Sequence, residues 1–223
     1  MEERDRNDGL DGVKARFRVG GSGKPAHVMG AVQFLVILAA LGFVGIIVHE
    51  LGHGLTAEIV GGEFKALAVW PGVELWPDLG ARRANMSGYF GMATTSCRSL
   101  GETKVHAVRF MGAGSTLAIS LISTILLWVL RPKRRFVRHV LIALSLYFMD
   151  ILTYTFCPQL GMPRFILVGR TTHHSEPLAA AVGLGVPKPL FNALIILISA
   201  LILVAIARVV LLSGRGHRSL ATR

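Results

Sequence analysis

The sequence predicts an all-α membrane protein of about four transmembrane helices, with a small β-hairpin after the first. Three observations carry this. Hydrophobic residues make up 52% of the 223 residues and charged residues 17%, with positive mean hydropathy, a balance outside that of soluble domains. Four apolar stretches each reach the roughly 20 residues that a bilayer-crossing helix needs. From Phe64 to Leu75 the apolar residues instead alternate with others, the period of a strand.

Residues 1–26 are polar, charged and glycine-containing, and read as a flexible basic tail. A single membrane domain, residues 27–213, follows, because there is no internal repeat and no long linker. Its first span covers about residues 28–60. Val28 to Val48 is apolar except for Gln33. The run starts too late and is too long to be expected as a cleavable signal peptide. It also exceeds the crossing length, so the helix tilts or protrudes. Gly61-Gly62 ends it.

In the hairpin, Phe64, Ala66, Ala68 and Trp70 alternate, Pro71-Gly72 turns the chain, and Val73 and Leu75 alternate again. Residues 81–104 include Arg82, Arg83, Tyr89, Phe90 and Cys97. An interfacial helix is one reading there, and the sequence does not settle it. The second span, about residues 106–130, carries no charge after Arg109 and opens with Gly112, Gly114, Ser115 and Thr116. Small residues let helices approach closely in lipid.

A basic loop of Arg131, Lys133, Arg134, Arg135 and Arg138 leads to the third span, about residues 136–157, which contains Asp150. A carboxylate inside an apolar helix needs a partner. Residues 159–188 read as a loop, with His173-His174 as surface histidines rather than ligands. The fourth span covers about residues 189–210, with Asn192 and Arg208 near its ends, and residues 214–223 form a basic tail.

The net charge of +11 would suit nucleic acid, but the basic residues cluster beside the apolar runs. That placement reads as topology signal and lipid-headgroup contact, and no nucleic-acid-binding module accompanies it. The expected partners are the bilayer and a membrane-protein substrate, not nucleic acid, and the expected location is a multi-pass position in the plasma membrane. Of the 24 Lys and Arg, 15 lie in the N-terminal tail, the loop after the second span, and the end of the fourth span with its tail. The positive-inside rule then puts both termini in the cytoplasm. Two cysteines, Cys97 and Cys157, do not make a disulfide framework.

The first span ends in His49-Glu50-Leu51-Gly52-His53. A helix puts residues i and i+4 on one face, so both imidazoles can hold one metal ion while Glu50 reaches a metal-bound water. This is the arrangement of a zinc hydrolase, with the glutamate as general base. With these frequencies of His and Glu, such a match arises by accident about one time in a hundred. Three ionisable side chains at the end of an apolar run also ask for a function. The bland alternative is an interfacial cap whose side chains reach headgroups.

HELGHGLTAEIVGG, opened by a membrane helix, resembles the site-2 protease family of intramembrane zinc metalloproteases (the M50 peptidases), and within it the short M50B-like branch. The resemblance implies a Zn²⁺-dependent endopeptidase that cleaves membrane proteins in or near their membrane segments. It implies Glu50 as the base and Asp150 as the third ligand beside His49 and His53, although the family's LDG setting is MDILTY here. Spans one and three run parallel if the second crosses between them, so Asp150 and the histidines can meet at one depth. Glu74, Asp78, His173, His174 and Glu176 are rival ligands.

The family also has a small sheet after this helix, whose edge can hold an extended substrate as an added strand. That makes Phe64 and Trp70 candidate contacts, with a plain connector as the alternative. Where the family has a glycine followed four residues on by asparagine, Gly112 is followed by Thr116. Thr116 or Ser115 would then take over the polar substrate contact, though packing explains them as well. The family keeps its metal nearer the cytosol, whereas the charge count here sets the motif nearer the outer face. Two other readings are a non-catalytic metal-binding membrane protein and a small proton or metal carrier. Glu50 argues against the first, since a structural site needs no base. Four spans without inverted repeats argue against the second.

Overall fold

The computed structural model describes residues 24–81, 90–162 and 175–219. In order these form α1 (Lys24–Ile59), β1 (Glu63–Val69), β2 (Val73–Trp76), β3 (Gly91–Ser96), α2 (Glu102–Leu130), α3 (Arg135–Ser145), α4 (Phe148–Phe156), a short 3₁₀ turn (Pro158–Leu160), α5 (Glu176–Gly183) and α6 (Lys188–Ser219). Among the described residues, four helical stretches are long and apolar enough to cross a bilayer: Val28–Ile59, Glu102–Leu130, Arg135–Leu160 and Lys188–Leu211. Many of their large apolar side chains, such as Val36, Ile125 and Leu201, are exposed. An aqueous surface does not tolerate that much contiguous apolar area, and lipid does.

The third stretch is two helices. Around Leu146 the bonds tighten to i→i−3: Tyr147 N–H donates to Leu144, Met149 to Leu146 and Asp150 to Tyr147. Such a break leaves carbonyls that must find donors away from water. The Ser120 hydroxyl donates to the Ser145 carbonyl, and the Tyr147 hydroxyl donates to the Leu41 carbonyl of α1.

α1 stops at Gly61, whose φ of +90° is the left-handed conformation that glycine adopts without strain. Gly62 N–H donates back to the Ala57 carbonyl at 2.7 Å. The chain then enters β1. The sheet is antiparallel, in the order β2-β1-β3. The expected hairpin is therefore present but is two-thirds of a three-stranded sheet. β3 lies in the stretch for which an interfacial helix was one reading. Its sequence, GMATTS, has no large apolar alternation to announce a strand, and it is held by pairing with the whole length of β1, from Glu63↔Ser96 to Val69↔Gly91.

A second correction is α5, inside the stretch expected to be a loop. Eight residues are too few to show a helical period. Its start is nonetheless capped, with the Ser175 side chain accepting from Leu178 N–H and Pro177 in the first turn. Leu178 and Ala181 of α5 bury against Ala113 of α2, Ile151 of α4 and Phe191 and Ile195 of α6. This cluster ties α5 to three of the long helices. The expected roles of Arg82, Arg83, Tyr89, His173 and His174, and of residues 1–23 and 220–223, fall outside the described residues, while α6 continues as helix to Ser219, into the expected C-terminal tail.

Candidate metal centre

α1 and α2 pack closely where Gly52 meets Met111 and Ser115. A Cβ on Gly52 would strike the Met111 carbonyl and Ser115, so the backbones touch there. The Ser115 hydroxyl donates across this contact to the Val48 carbonyl at 3.0 Å. A Cβ on Gly112 would come closer than 3.0 Å to Nε2 of both His49 and His53. The missing side chain of Gly112 is what leaves room beside those two nitrogens.

The back of each imidazole is already bonded. His49 Nδ1 lies 2.7 Å from Asp150 Oδ2 on α4. His53 Nδ1 lies 2.8 Å from the Val108 carbonyl on α2. A carbonyl or carboxylate only accepts, so each Nδ1 carries a hydrogen and donates it. In the neutral rings, each Nε2 is then a bare lone pair. These two lone pairs face each other at 3.3 Å. They repel unless something positive lies between them. Two nitrogens about 2.0–2.1 Å from one tetrahedral zinc stand about 3.3–3.4 Å apart, so the observed separation fits a shared zinc ion. A proton shared between the nitrogens is the simpler rival. It needs no third ligand, yet Glu176 Oε2 stands 4.0 Å from His53 Nε2. Among the described residues, His49, His53 and Glu176 are the group whose ligand atoms all lie within 4.8 Å of one another.

Asp150 does meet the histidine pair, as its need for a partner demanded, but it does so at Nδ1 of His49. The same oxygen accepts the Thr116 hydroxyl at 2.7 Å. Thr116 is buried and also donates to the Ala113 carbonyl. The hydroxyls of Thr116 and Ser115, weighed in the sequence as substrate contacts or packing groups, are thus both spent on holding helices together. The Tyr154 ring lies 4.9 Å from that of His49 and packs over it.

Glu50 points to the sheet. Ala93 N–H of β3 donates to Glu50 Oε2 at 2.7 Å, and Gly91 lies close against the same side chain. Phe64 packs its ring over Gly54, and Trp70 is exposed at the turn after β1. Of the rival ligands, Glu74 is buried within β2 and Asp78 is exposed, and neither joins the His49–His53 group. Cys97 and Cys157 are free thiols.

Two partners of the site had no sequence signal at all. The Val108 carbonyl and the Ala93 N–H are backbone groups, which every residue carries. No family model, curated protein or solved structure matches the chain, so its own geometry carries the functional reading.

Proposed function

We propose that the chain is a zinc-dependent intramembrane endopeptidase, hydrolysing peptide bonds in or near the membrane segments of substrate proteins. The observation that carries this reading is the pair of facing Nε2 lone pairs, 3.3 Å apart, with a glutamate next in sequence to one of them. His49 and His53 would hold Zn²⁺, with an acidic side chain as third ligand. Bound zinc supplies a Lewis acid that activates water near neutral pH and polarises a carbonyl. Glu50 would take the proton of the attacking water on its carboxylate and return it to the leaving amine nitrogen. Asp150 and the Val108 carbonyl keep both rings in the tautomer that leaves Nε2 free.

Proteases cleave extended chain, and a sheet edge can hold one. The expectation that the hairpin from Phe64 to Leu75 offers that edge needs correction. β1 is the central strand, paired on both sides. The outer side of β2 is covered by residues 80 and 81, through Glu74 N–H to the Ala81 carbonyl and Gly80 N–H to the Glu74 carbonyl. Among the described residues, β3 is the strand paired on one side only, and its outward Ala93 N–H donates to Glu50 Oε2. A substrate strand added there runs beside the proposed base.

A second reading has one observation in its favour. The bond to Ala93 gives Glu50 a structural task, as a non-catalytic metal-binding membrane protein would require. Glu50→Gln separates the two. It keeps the side chain's shape and removes its basicity, a contribution of roughly 10²–10⁴-fold in rate. In proteoliposomes with single-span reporter substrates, the variant should retain zinc and lose cleavage by at least about 100-fold. Near wild-type cleavage would refute the mechanism. Loss of zinc together with the fold would favour the structural role.

A further inference from the structure

We infer that Glu176, in the first turn of α5, is the third protein ligand of the metal, and that Asp150 is the positioning carboxylate behind His49. The inference rests on the reading that a metal lies between His49 and His53. One oxygen of Asp150 already accepts from both His49 Nδ1 and the Thr116 hydroxyl. Swinging that oxygen to the front would strip a buried imidazole N–H of its acceptor, and leaving a buried donor unmade is costly. Where it stands, it does for His49 what the Val108 carbonyl does for His53. Metal-bound histidines almost always donate their second nitrogen to such an acceptor.

Glu176 is on the other side of the rings. Its Oε2 is 4.0 Å from His53 Nε2, and its side chain is 38% exposed against 17% for Asp150. Ligand oxygens and nitrogens around one zinc sit about 3.3–3.5 Å apart, so a small side-chain rotation closes the gap. The backbone behind Glu176 is held firmly. Ser175 caps α5, Leu178 and Ala181 are in the core, and Gly183 packs directly on the His106 ring. An acidic residue in a first turn is also favoured by the helix dipole. That accounts for a glutamate at this position but not for its approach to His53.

The test measures zinc affinity of the full chain in detergent by chelator competition, and the visible spectrum of the Co²⁺-loaded protein. Asp150→Asn should weaken zinc binding by roughly 10–100-fold, the usual cost of an outer partner, and leave the cobalt spectrum's shape intact. Glu176→Gln should weaken it further than that and change the cobalt spectrum. Glu176→His, which restores a ligating atom at similar reach, should recover zinc binding with a spectrum unlike that of the wild type. The assignment is overturned if Glu176→Gln keeps wild-type affinity and spectrum, or if Asp150→Asn is at least as damaging. A wild-type chain that binds neither metal refutes the underlying metal reading instead.

Discussion

Gly112→Ala is the sharpest probe of the space between the histidines. In an ordinary helix this change is favourable, by about 0.8–1 kcal/mol of propensity. Here the new methyl would come closer than 3.0 Å to both Nε2 atoms, whereas relaxed contacts between such atoms are about 3.5 Å or more. The imidazoles must give way, and their turning disturbs the bonds to Asp150 and the Val108 carbonyl. Overpacking of this kind costs about 1–3 kcal/mol, which at about 1.4 kcal/mol per decade is roughly 5- to 150-fold in metal affinity. The fold should survive, because the atoms struck are side-chain ends rather than backbone. Gly42→Ala is the control, since a Cβ there meets nothing within 4 Å. Zinc competition against a chromophoric chelator, with thermal unfolding in parallel, reads both effects. If Gly112→Ala binds zinc like the wild type, or loses it only by unfolding, the space beside Gly112 is not the metal's.

Gly52→Ala should behave in the opposite way, lowering the unfolding temperature first, because its Cβ falls on the Met111 backbone carbonyl; a variant as stable as the wild type would show that the α1–α2 contact is looser than described. Zinc held at about 100 times its Kd should stabilise the fold by about 2.7 kcal/mol, so a chelator should lower the unfolding temperature of the wild type and not of His49→Ala. Ala93→Pro removes the N–H that β3 gives to Glu50 Oε2 rather than to the β1–β3 ladder, so it frees the Glu50 carboxylate as well as altering the strand edge. It should spare zinc content and lower cleavage of the reporters, and unchanged cleavage would exclude β3 as the substrate edge.

The four long apolar helices were legible because length and composition alone decide whether a helix can cross a bilayer. The pairing of His49 with His53 was legible because four-residue spacing admits one geometry on a helix. Asp150 was legible as a buried acid in want of a partner, but not as a partner of Nδ1, since a sequence does not say which nitrogen a carboxylate will meet. β3 was hidden because GMATTS contains no alternating large apolar residues, and its strand state comes from pairing with a distant segment. α5 was hidden by its shortness. The break at Leu146 was hidden because Ser120, whose hydroxyl satisfies the Ser145 carbonyl there, lies far away on α2. Glu176 stood among several acids near enough in sequence logic to serve, and only the docking of α5 on α2 and α4 singles it out.

The number of ligands bears on whether such a centre does chemistry. A structural zinc site is closed by four protein ligands, whereas a catalytic one keeps a position open for water or substrate. Among the described residues, the His49–His53 pair gathers one further ligand atom, from Glu176, to within 4.8 Å. Asp150 is engaged at the back of His49, and Glu50 is engaged with β3. A metal held by this set, as proposed, would have three protein ligands and leave a fourth position for water. Ionisable groups are costly among apolar helices, and a site needed only to fasten α1 to α2 would do better with a closed shell or with packing alone. The glycine contact at Gly52 and the Ser115–Val48 hydrogen bond already fasten those helices. With a metal bound as proposed, the histidines would add an open coordination position beside the Glu50 carboxylate and β3, and the proposed peptide hydrolysis would use all three.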